Sequence, residues 1–343
     1  MAEVARRARV SRMTVSRIVN RPETVAPATR ERVEALMARL GYVHPSVARR
    51  LAARDTGLIA LVLTDVTNPF FTHVARGAED VAQRSGYTVV LCNSDEKVDK
   101  ERRYLEALLS HRVDGVIMVP ASDASRENVA LLQRRSVPFI LCDRRLPGVR
   151  ADLVLGDSVG GARRLTDHLL DLGYRRIALA GGNPAVSTAR DRRAGFEQAL
   201  AARGLPVDPT NVVELGYGVE SGVQAVDQLL RRGVRFDAIV AANNAIATGV
   251  VTRLRGRGVR IPEDVAVACF DEIEAMAAIH PFFTVMAQPA LDFGTLAAQM
   301  LVERLEGRAS ASPREVVLVP ELIVRVSSGA RVESGAGTPG HWA

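Results

Sequence analysis

Apolar positions change their spacing near residue 57, and with it the kind of structure they predict. Before that point they recur at helical intervals in short runs. Val4, Ala5 and Ala8 make one apolar face, and Val15, Ile18 and Val19 make a second at i, i+3, i+4. Val33, Leu36, Met37 and Leu40 make a third at i, i+3, i+4, i+7. The spacing predicts three short helices. Ser11 stands where its hydroxyl caps the second. Pro27 takes the first position of the third, where no N–H is needed, and Gly41 ends it. Two short helices joined by a tight turn, with a third across them, is helix-turn-helix geometry.

From Leu58 onward, short β-branched runs alternate with amphipathic stretches. The runs at 58–64, 87–92, 113–119, 139–142 and 153–155 predict one series of strands. Those at 177–180, 212–215, 238–241, 265–269 and 316–326 predict a second. Helical spacing fills 74–85, 100–111, 159–172, 189–203, 222–232 and 245–257 between them. Doubly buried strands alternating with helices mean parallel sheets covered on both faces. The fold class is therefore α/β, two doubly wound parallel-sheet subdomains preceded by an all-α head. A ligand would lie at the strand C-termini, between the subdomains.

Charge divides the chain at the same place. Residues 1–54 carry twelve arginines against four glutamates, a net +8, whereas the remainder sums to −2 within the overall +6. A basic head on a near-neutral body is what phosphate neutralisation by a DNA-binding unit requires. The second helix turns Arg12, Met13, Thr14, Ser16 and Arg17 away from its apolar face, where they would meet base edges in the major groove. On pattern alone, a solvated basic cap remains open. The following stretch, with Val47, Ala48, Leu51 and Ala52 as its stripe, is too short to hold a helix by itself. Leu51 beside Arg49 and Arg50 suits minor-groove insertion on ordering, with an ordinary helical linker as the alternative.

The composition is that of a globular protein, 47% hydrophobic and 24% charged, without a signal-peptide pattern or a membrane-length apolar run. Cys92, Cys142 and Cys269 are odd in number and scattered, which reads as free buried thiols in a reducing cytoplasm. No metal-ligand spacing appears, and the six histidines are dispersed with none next to a cysteine, against nucleophilic hydrolase chemistry. The run Gly156–Gly161 has neither the spacing nor the lysine of a phosphate loop. No enzyme activity and no cofactor are expected.

The chemistry is instead at predicted strand ends: Asp65 with Asn68-Pro69-Phe70-Phe71, Asp157-Ser158, Gly181-Gly182, Arg190-Asp191-Arg192, Tyr217, Asn243-Asn244 and Phe270-Asp271-Glu272. Carboxylates, amides and guanidinium beside aromatic rings suit a polyhydroxylated ligand. Taken singly, each Asp or Asn there is more often a helix cap.

The motifs Glu3-Val4-Ala5, Val10-Ser11, Thr14-Val15-Ser16-Arg17, Asn20, Thr29-Arg30, Gly41-Tyr42, Ala48-Arg49 and Leu51 resemble the head of the lactose/galactose-repressor (LacI-type) family. Asn68-Pro69-Phe70-Phe71, Val113-Asp114-Gly115, Leu172-Gly173-Tyr174, Phe270-Asp271, Gln288-Pro289 and Pro320–Arg325 continue the likeness over 3–329. The resemblance implies a cytoplasmic, homodimeric transcriptional repressor that binds a pseudo-palindromic operator in double-stranded DNA under control of a small-molecule effector, a sugar. By carry-over, DNA contacts fall on Ser11, Arg12, Met13, Thr14, Ser16, Arg17, Asn20, Arg30, Tyr42, Arg49 and Leu51. Effector contacts fall on Phe71, Asp157, Arg192, Tyr217, Asn243 and Asp271.

The implied organisation is a head at 1–44, a hinge at 45–56, a first subdomain at 57–158 plus 289–316, a second at 159–288 plus 317–328, and a disordered tail at 329–343. Dimer contacts are expected on helices 74–85 and 105–111. A solute-binding protein of the same body fold and a purine-responsive co-repressor are the alternatives. The family pattern is departed from at Arg9, where a turn glycine is usual, at Ala26, where a capping serine is usual, and at Asn244 and Cys269. Only two residues precede Glu3. An upstream start or weakened DNA affinity is expected from these.

Overall fold

A computed structural model describes residues 2–20, 24–40 and 56–330. Tyr42, Arg49 and Leu51, with most of the expected hinge and tail, lie outside the described residues. The chain divides into two units, 1–57 and 58–343.

In the head, helices α1 (Ala2–Ala8), α2 (Arg12–Asn20) and α3 (Pro27–Arg39) form from the three apolar stripes. Val4, Ala5, Ala8, Val15, Ile18 and Val33 make its buried core, with Leu36, Met37 and Leu40 half-buried around it. The core is small, so the turn chemistry matters. Helix α1 closes with Val10 N–H donating to Ala5 O at 3.0 Å and Arg9 N–H to Arg6 O at 3.3 Å. That pair is a Schellman motif, whose penultimate position wants glycine. Arg9 holds it at φ +51°. A side chain in this left-handed region costs about 1 kcal/mol or more. The missing family glycine thus has a structural consequence.

The first subdomain runs β1 (Leu58–Leu63), α4 (Pro69–Arg84), β2 (Thr88–Asn93), α5 (Val98–Ser110), β3 (Gly115–Met118), α6 (Arg126–Arg134), β4 (Phe139–Cys142) and β5 (Asp152–Gly156). The chain then crosses into the second: α7 (Ser158–Asp171), β6 (Ile177–Gly181), α8 (Ser187–Ala202), β7 (Val212–Glu214), α9 (Val219–Arg231), β8 (Ala238–Ala241), α10 (Asn244–Arg255), β9 (Ala266–Phe270), α11 (Glu274–Ile279) and β10 (Thr284–Ala287). It returns with α12 (Ala290–Leu305) and β11 (Glu315–Leu318), and crosses last to β12 (Glu321–Ile323).

Strand orders are β11-β5-β4-β3-β1-β2 and β12-β10-β9-β8-β6-β7. All pairings are parallel except β12 on β10. The order reverses at β1/β3 and at β6/β8, which opens a crevice at the strand C-termini of each sheet.

Two expectations are corrected. The run 316–326 is not one strand: Val316–Leu318 pairs with β5 in the first sheet, and Glu321–Ile323 pairs with β10 in the second. Pro320 between them has no N–H to carry a ladder onward. The subdomain boundary therefore falls after Leu318, not after 316. Strand β10 matches none of the expected runs.

Helices α4 and α12 cross at glycines. A Cβ on Gly294 would lie 1.8 Å from Val74 O, and one on Gly77 would lie 2.1 Å from Leu291 O. Both obstacles are backbone, so relief requires the helices to separate. Gly294→Ala is expected to destabilise the body by about 2–3 kcal/mol. A chemical-denaturation midpoint equal to wild type would refute this packing.

Candidate functional site

In the head, the Ser11 hydroxyl accepts from Thr14 N–H at 3.0 Å, capping α2. Val15 and Ile18 point into the core, so Arg12, Met13 and Arg17 are left exposed and Thr14 half-buried. Met13 is 65% exposed, a large apolar group offered to solvent beside guanidiniums. Such a mixed face can bond guanine edges and touch thymine methyls. Arg17 Nη2 lies 3.9 Å from Met13 Sδ. Arg30 sits on α3, 3.9 Å from Glu34. Ser16 and Asn20 are also on α2. At Ala26 only the backbone serves: its carbonyl accepts from Thr29 and Arg30 N–H, both at 3.0 Å.

In the body, strand C-termini of the two sheets deliver side chains to one pocket. From the first come Asp65, Asn68, Phe70, Phe71, Glu96, Asp143 and Arg144. From the second come Thr188, Arg192, Tyr217, Asn243, Asp271 and Gln288. The space among them is about 380 Å³, mouth included, and side chains cross it.

Its electrostatics follow from burial. Asp143 and Asp271 directly follow β4 and β9, which hold matching places in the two sheets. Both take left-handed backbone, at φ +64° and +67°. Burial pushes both carboxyls up, against the pull of Arg144 on Asp143 and of Arg192 on Asp271. Asp271 Oδ1 accepts from Gln288 Nε2 at 2.7 Å, and its Oδ2 lies 4.0 Å from Arg192 Nη1. Arg192 also donates to Ala242 O and stacks 4.1 Å over Phe270.

Arg144, buried, forks onto Glu96 at 2.6 and 2.8 Å. Burial works against its charge, and Glu96 outweighs that and holds the guanidinium protonated. It also stands 5.2 Å over the Tyr217 ring of the other subdomain. Tyr217 OH lies 3.1 Å from Thr188 Oγ1, and burial raises its hydroxyl. Gly182 makes room for that ring, since a Cβ there would be 2.4 Å from it.

Among the described residues, two buried polar atoms of this pocket, Arg192 Nε and Gln288 Oε1, have no hydrogen-bond partner, and Arg144 Nε has only a 3.5 Å ion-pair contact with Asp143 Oδ2. Buried orphans of this kind mark a place where a bound group is wanted. Across the rim, Asp123 forks onto Arg190 at 2.8 and 3.2 Å, Arg145 lies 3.3 Å from Asp191, and Arg145 N–H donates to Ser187 Oγ at 3.0 Å. Asn244 reaches Asn68 at 3.4 Å.

Of the expected effector contacts, Phe71, Arg192, Tyr217, Asn243 and Asp271 come together here. Asn243 doubles as a cap, its Oδ1 accepting from Ile246 N–H at 2.8 Å. Asp157 does not line the pocket, which corrects that expectation. Its carboxylate accepts from Gly160 N–H at 2.8 Å and caps α7, the alternative use of a strand-end Asp. Glu96, Asp143, Arg144, Thr188 and Gln288 were not foreseen. Asp143-Arg144 ends a foreseen strand, so the rule that found Asp271 finds it too.

Gly156-Asp157-Ser158-Val159-Gly160 spells G-x-S-x-G between strand and helix. A nucleophile elbow presents its serine to solvent, whereas Ser158 is 3% exposed. The three cysteines are buried, and burial raises their thiols. Among the described residues no group of three His, Cys, Asp or Glu is placed to hold a metal, and no helix is long and apolar enough to cross a membrane.

Residues 1–46 match the model of bacterial regulatory proteins of the lacI family. Residues 56–322 match that of periplasmic binding proteins and the sugar-binding domain of the LacI family. The HTH-type transcriptional repressor PurR of Photobacterium profundum is 33% identical over 95% of this chain and 97% of its own. The ribose operon repressor of Halalkalibacterium halodurans is 34% identical over 89% of each. A solved transcriptional regulator CelR–cellobiose complex is 32% identical, covers 94% of this chain and 98% of its own, and superposes with a TM-score of 0.73. The chain thus belongs to the LacI family of bacterial regulatory proteins, a DNA-binding transcriptional regulator with an effector-binding body on the same polypeptide.

Proposed function

We propose that this regulator is a cytoplasmic homodimeric repressor whose effector is a sugar, bound in the cleft between the subdomains, and that it needs no cofactor and catalyses no reaction. The carrying observation is the pocket's make-up: two buried carboxylates at matched strand ends, the Arg144 and Arg192 guanidiniums beside them, and the unpartnered Arg192 Nε and Gln288 Oε1. Vicinal hydroxyls both donate and accept, so they answer carboxylates and guanidiniums together, while Phe71 and Tyr217 take the C–H faces. The structural relative with cellobiose supports the sugar class.

Two heads in one dimer would read two half-sites. Arg12, Met13, Thr14, Ser16 and Arg17 serve the major groove, and Ser11, Asn20, Arg30 and Tyr42 the register on the backbone. Arg49 and Leu51 act at the operator centre. Effector and operator then change each other's affinity by a common factor, commonly ~5–150-fold.

A thermal-shift screen with cellobiose, ribose, glucose, adenine and guanine tests the ligand class. A sugar near a hundred times its Kd should add about 2.7 kcal/mol to the body's stability. Stabilisation by a purine and by no sugar would overturn the sugar reading in favour of a purine-responsive one.

A further inference from the structure

We propose that the head carries a second phosphate-binding groove, formed by Arg7, Arg9, Arg32 and Arg39, which grips the DNA backbone beside the bases that α2 reaches. The end of α1, the turn after it and one side of α3 enclose a concavity of about 750 Å³, mouth included. Those four arginines line it over a floor that includes Leu36, and among the described residues no acidic side chain is in the lining. Arg32 and Arg39 are seven apart on α3 and so share a face. Arg32 Nη2 also bonds Ala8 O at 3.4 Å, which holds that guanidinium across to α1.

Arg9 is the telling residue. It occupies the left-handed position of the Schellman closure, where glycine would sit without strain, and its side chain is exposed, so packing returns nothing for that strain. A strained residue kept at an exposed turn points to use. The use is indicated by place and charge. Arg9 stands two residues before the Ser11 cap of α2, at the end of the helix proposed above to enter the major groove. Guanidinium forks match phosphate oxygens, and a duplex presents such phosphates continuously on either side of the groove being read. The groove lies outside the expected DNA contacts, and none of its four arginines is among them.

The proposal rests on the head being a DNA-binding unit. Its test uses the full chain and a short duplex of random sequence, with affinity followed between about 50 and 200 mM salt. Arg9→Gly should reduce the slope of log affinity against log salt by about 0.9, with affinity about five- to tenfold lower near 0.1 M salt. In the same protein, hydrogen-exchange protection of α1 and α2 should rise, because the strained turn is relieved. Arg32→Gln with Arg39→Gln should lower the slope by up to about 1.8 without raising protection, since it also removes the Arg32–Ala8 O bond. Raised protection with an unchanged slope in Arg9→Gly would overturn the proposal and leave Arg9 merely strained. An unchanged slope in the double variant would overturn it as well, as would a groove that takes inorganic phosphate without affecting duplex binding. A wild-type chain that binds no duplex would instead sink the DNA-binding assignment itself, and the proposal with it.

Discussion

Asp271→Asn is expected to reduce effector-induced stabilisation sharply while leaving ligand-free operator binding intact. The substitution is chosen for the backbone as well as the charge. Asp271 stands at φ +67°, a conformation that asparagine tolerates and alanine does not favour. Its carboxylate takes the Gln288 amide at 2.7 Å and faces Arg192 at 4.0 Å, wholly within the second subdomain. An amide keeps the shape, loses the charge and replaces one acceptor with a donor. Hydrogen bonds to charged groups contribute about 1.5–3 kcal/mol each, so losing one weakens the sugar by about ten- to a hundredfold. Calorimetric titration of the sugar found by thermal shift decides it. An unchanged Kd would remove Asp271 from the ligand's contacts and with it the cleft assignment.

Asp152→Ala should destabilise the first subdomain strongly. Asp152 is 2% exposed at the start of β5. Its carboxylate takes the Arg304 fork at 2.8 and 2.9 Å, the Arg314 backbone N–H at 2.8 Å and the Arg314 side chain at 3.3 Å. One carboxylate thus joins β5, the end of α12 and the chain leading into β11. Its removal leaves the Arg304 guanidinium and the Arg314 backbone donor without their anion and Arg314's side chain with Glu303 alone, at a cost of about 3 kcal/mol, the low end for a buried pair because both arginines reach solvent. A denaturation midpoint within error of wild type would show that the cluster is decorative.

The same residue sets the acid limit. Burial alone would raise the Asp152 carboxyl, but hydrogen bonds from Arg304 and Arg314 outweigh it and hold the group below its usual 3.8. A depressed folded-state value means stability that is present above 3.8 and lost as pH falls below it. Asp143, Asp271 and Glu101 are raised, all chiefly by burial, and act in the opposite sense. They bind protons more readily folded than unfolded, so acidification from neutral through their range stabilises. These three carboxyls should therefore add stability on mild acidification, while His168, held below its usual 6.5 by burial, works against them near neutral and Asp152 withdraws its share below about pH 3.8. In Asp152→Ala the acid fall should be shallower.

Much of this was legible without coordinates. The three apolar stripes of the head correspond to three helices because a short amphipathic helix has one way to bury its face, against the other two. Strand ends were legible as sites because parallel sheets place loops and helix N-termini there. Arg9 and Ala26 were visible as departures, and the structure gives each a meaning, a strained turn and a cap without a side chain. Other features were not legible. Asp157 and Asp271 are both carboxylates after apolar strands, yet one caps a helix and the other lines the cleft. Nothing local separates them, since the difference lies in where β5 and β9 stand in their sheets. Arg144 was passed over because its partners Glu96 and Tyr217 are remote in sequence, one of them in the other subdomain. The run 316–326 looked continuous because β-branched spacing reports burial and carries no record of which sheet buries it.

By itself, then, the sequence determined the element types, the division into a basic head and a two-series body, and the family, all properties of local periodicity, charge and motif spacing. Only the tertiary structure decided which strand ends converge, where the last crossover falls, and that four arginines share one groove. Those depend on strand order and helix packing, which bring together residues that no short-range pattern relates.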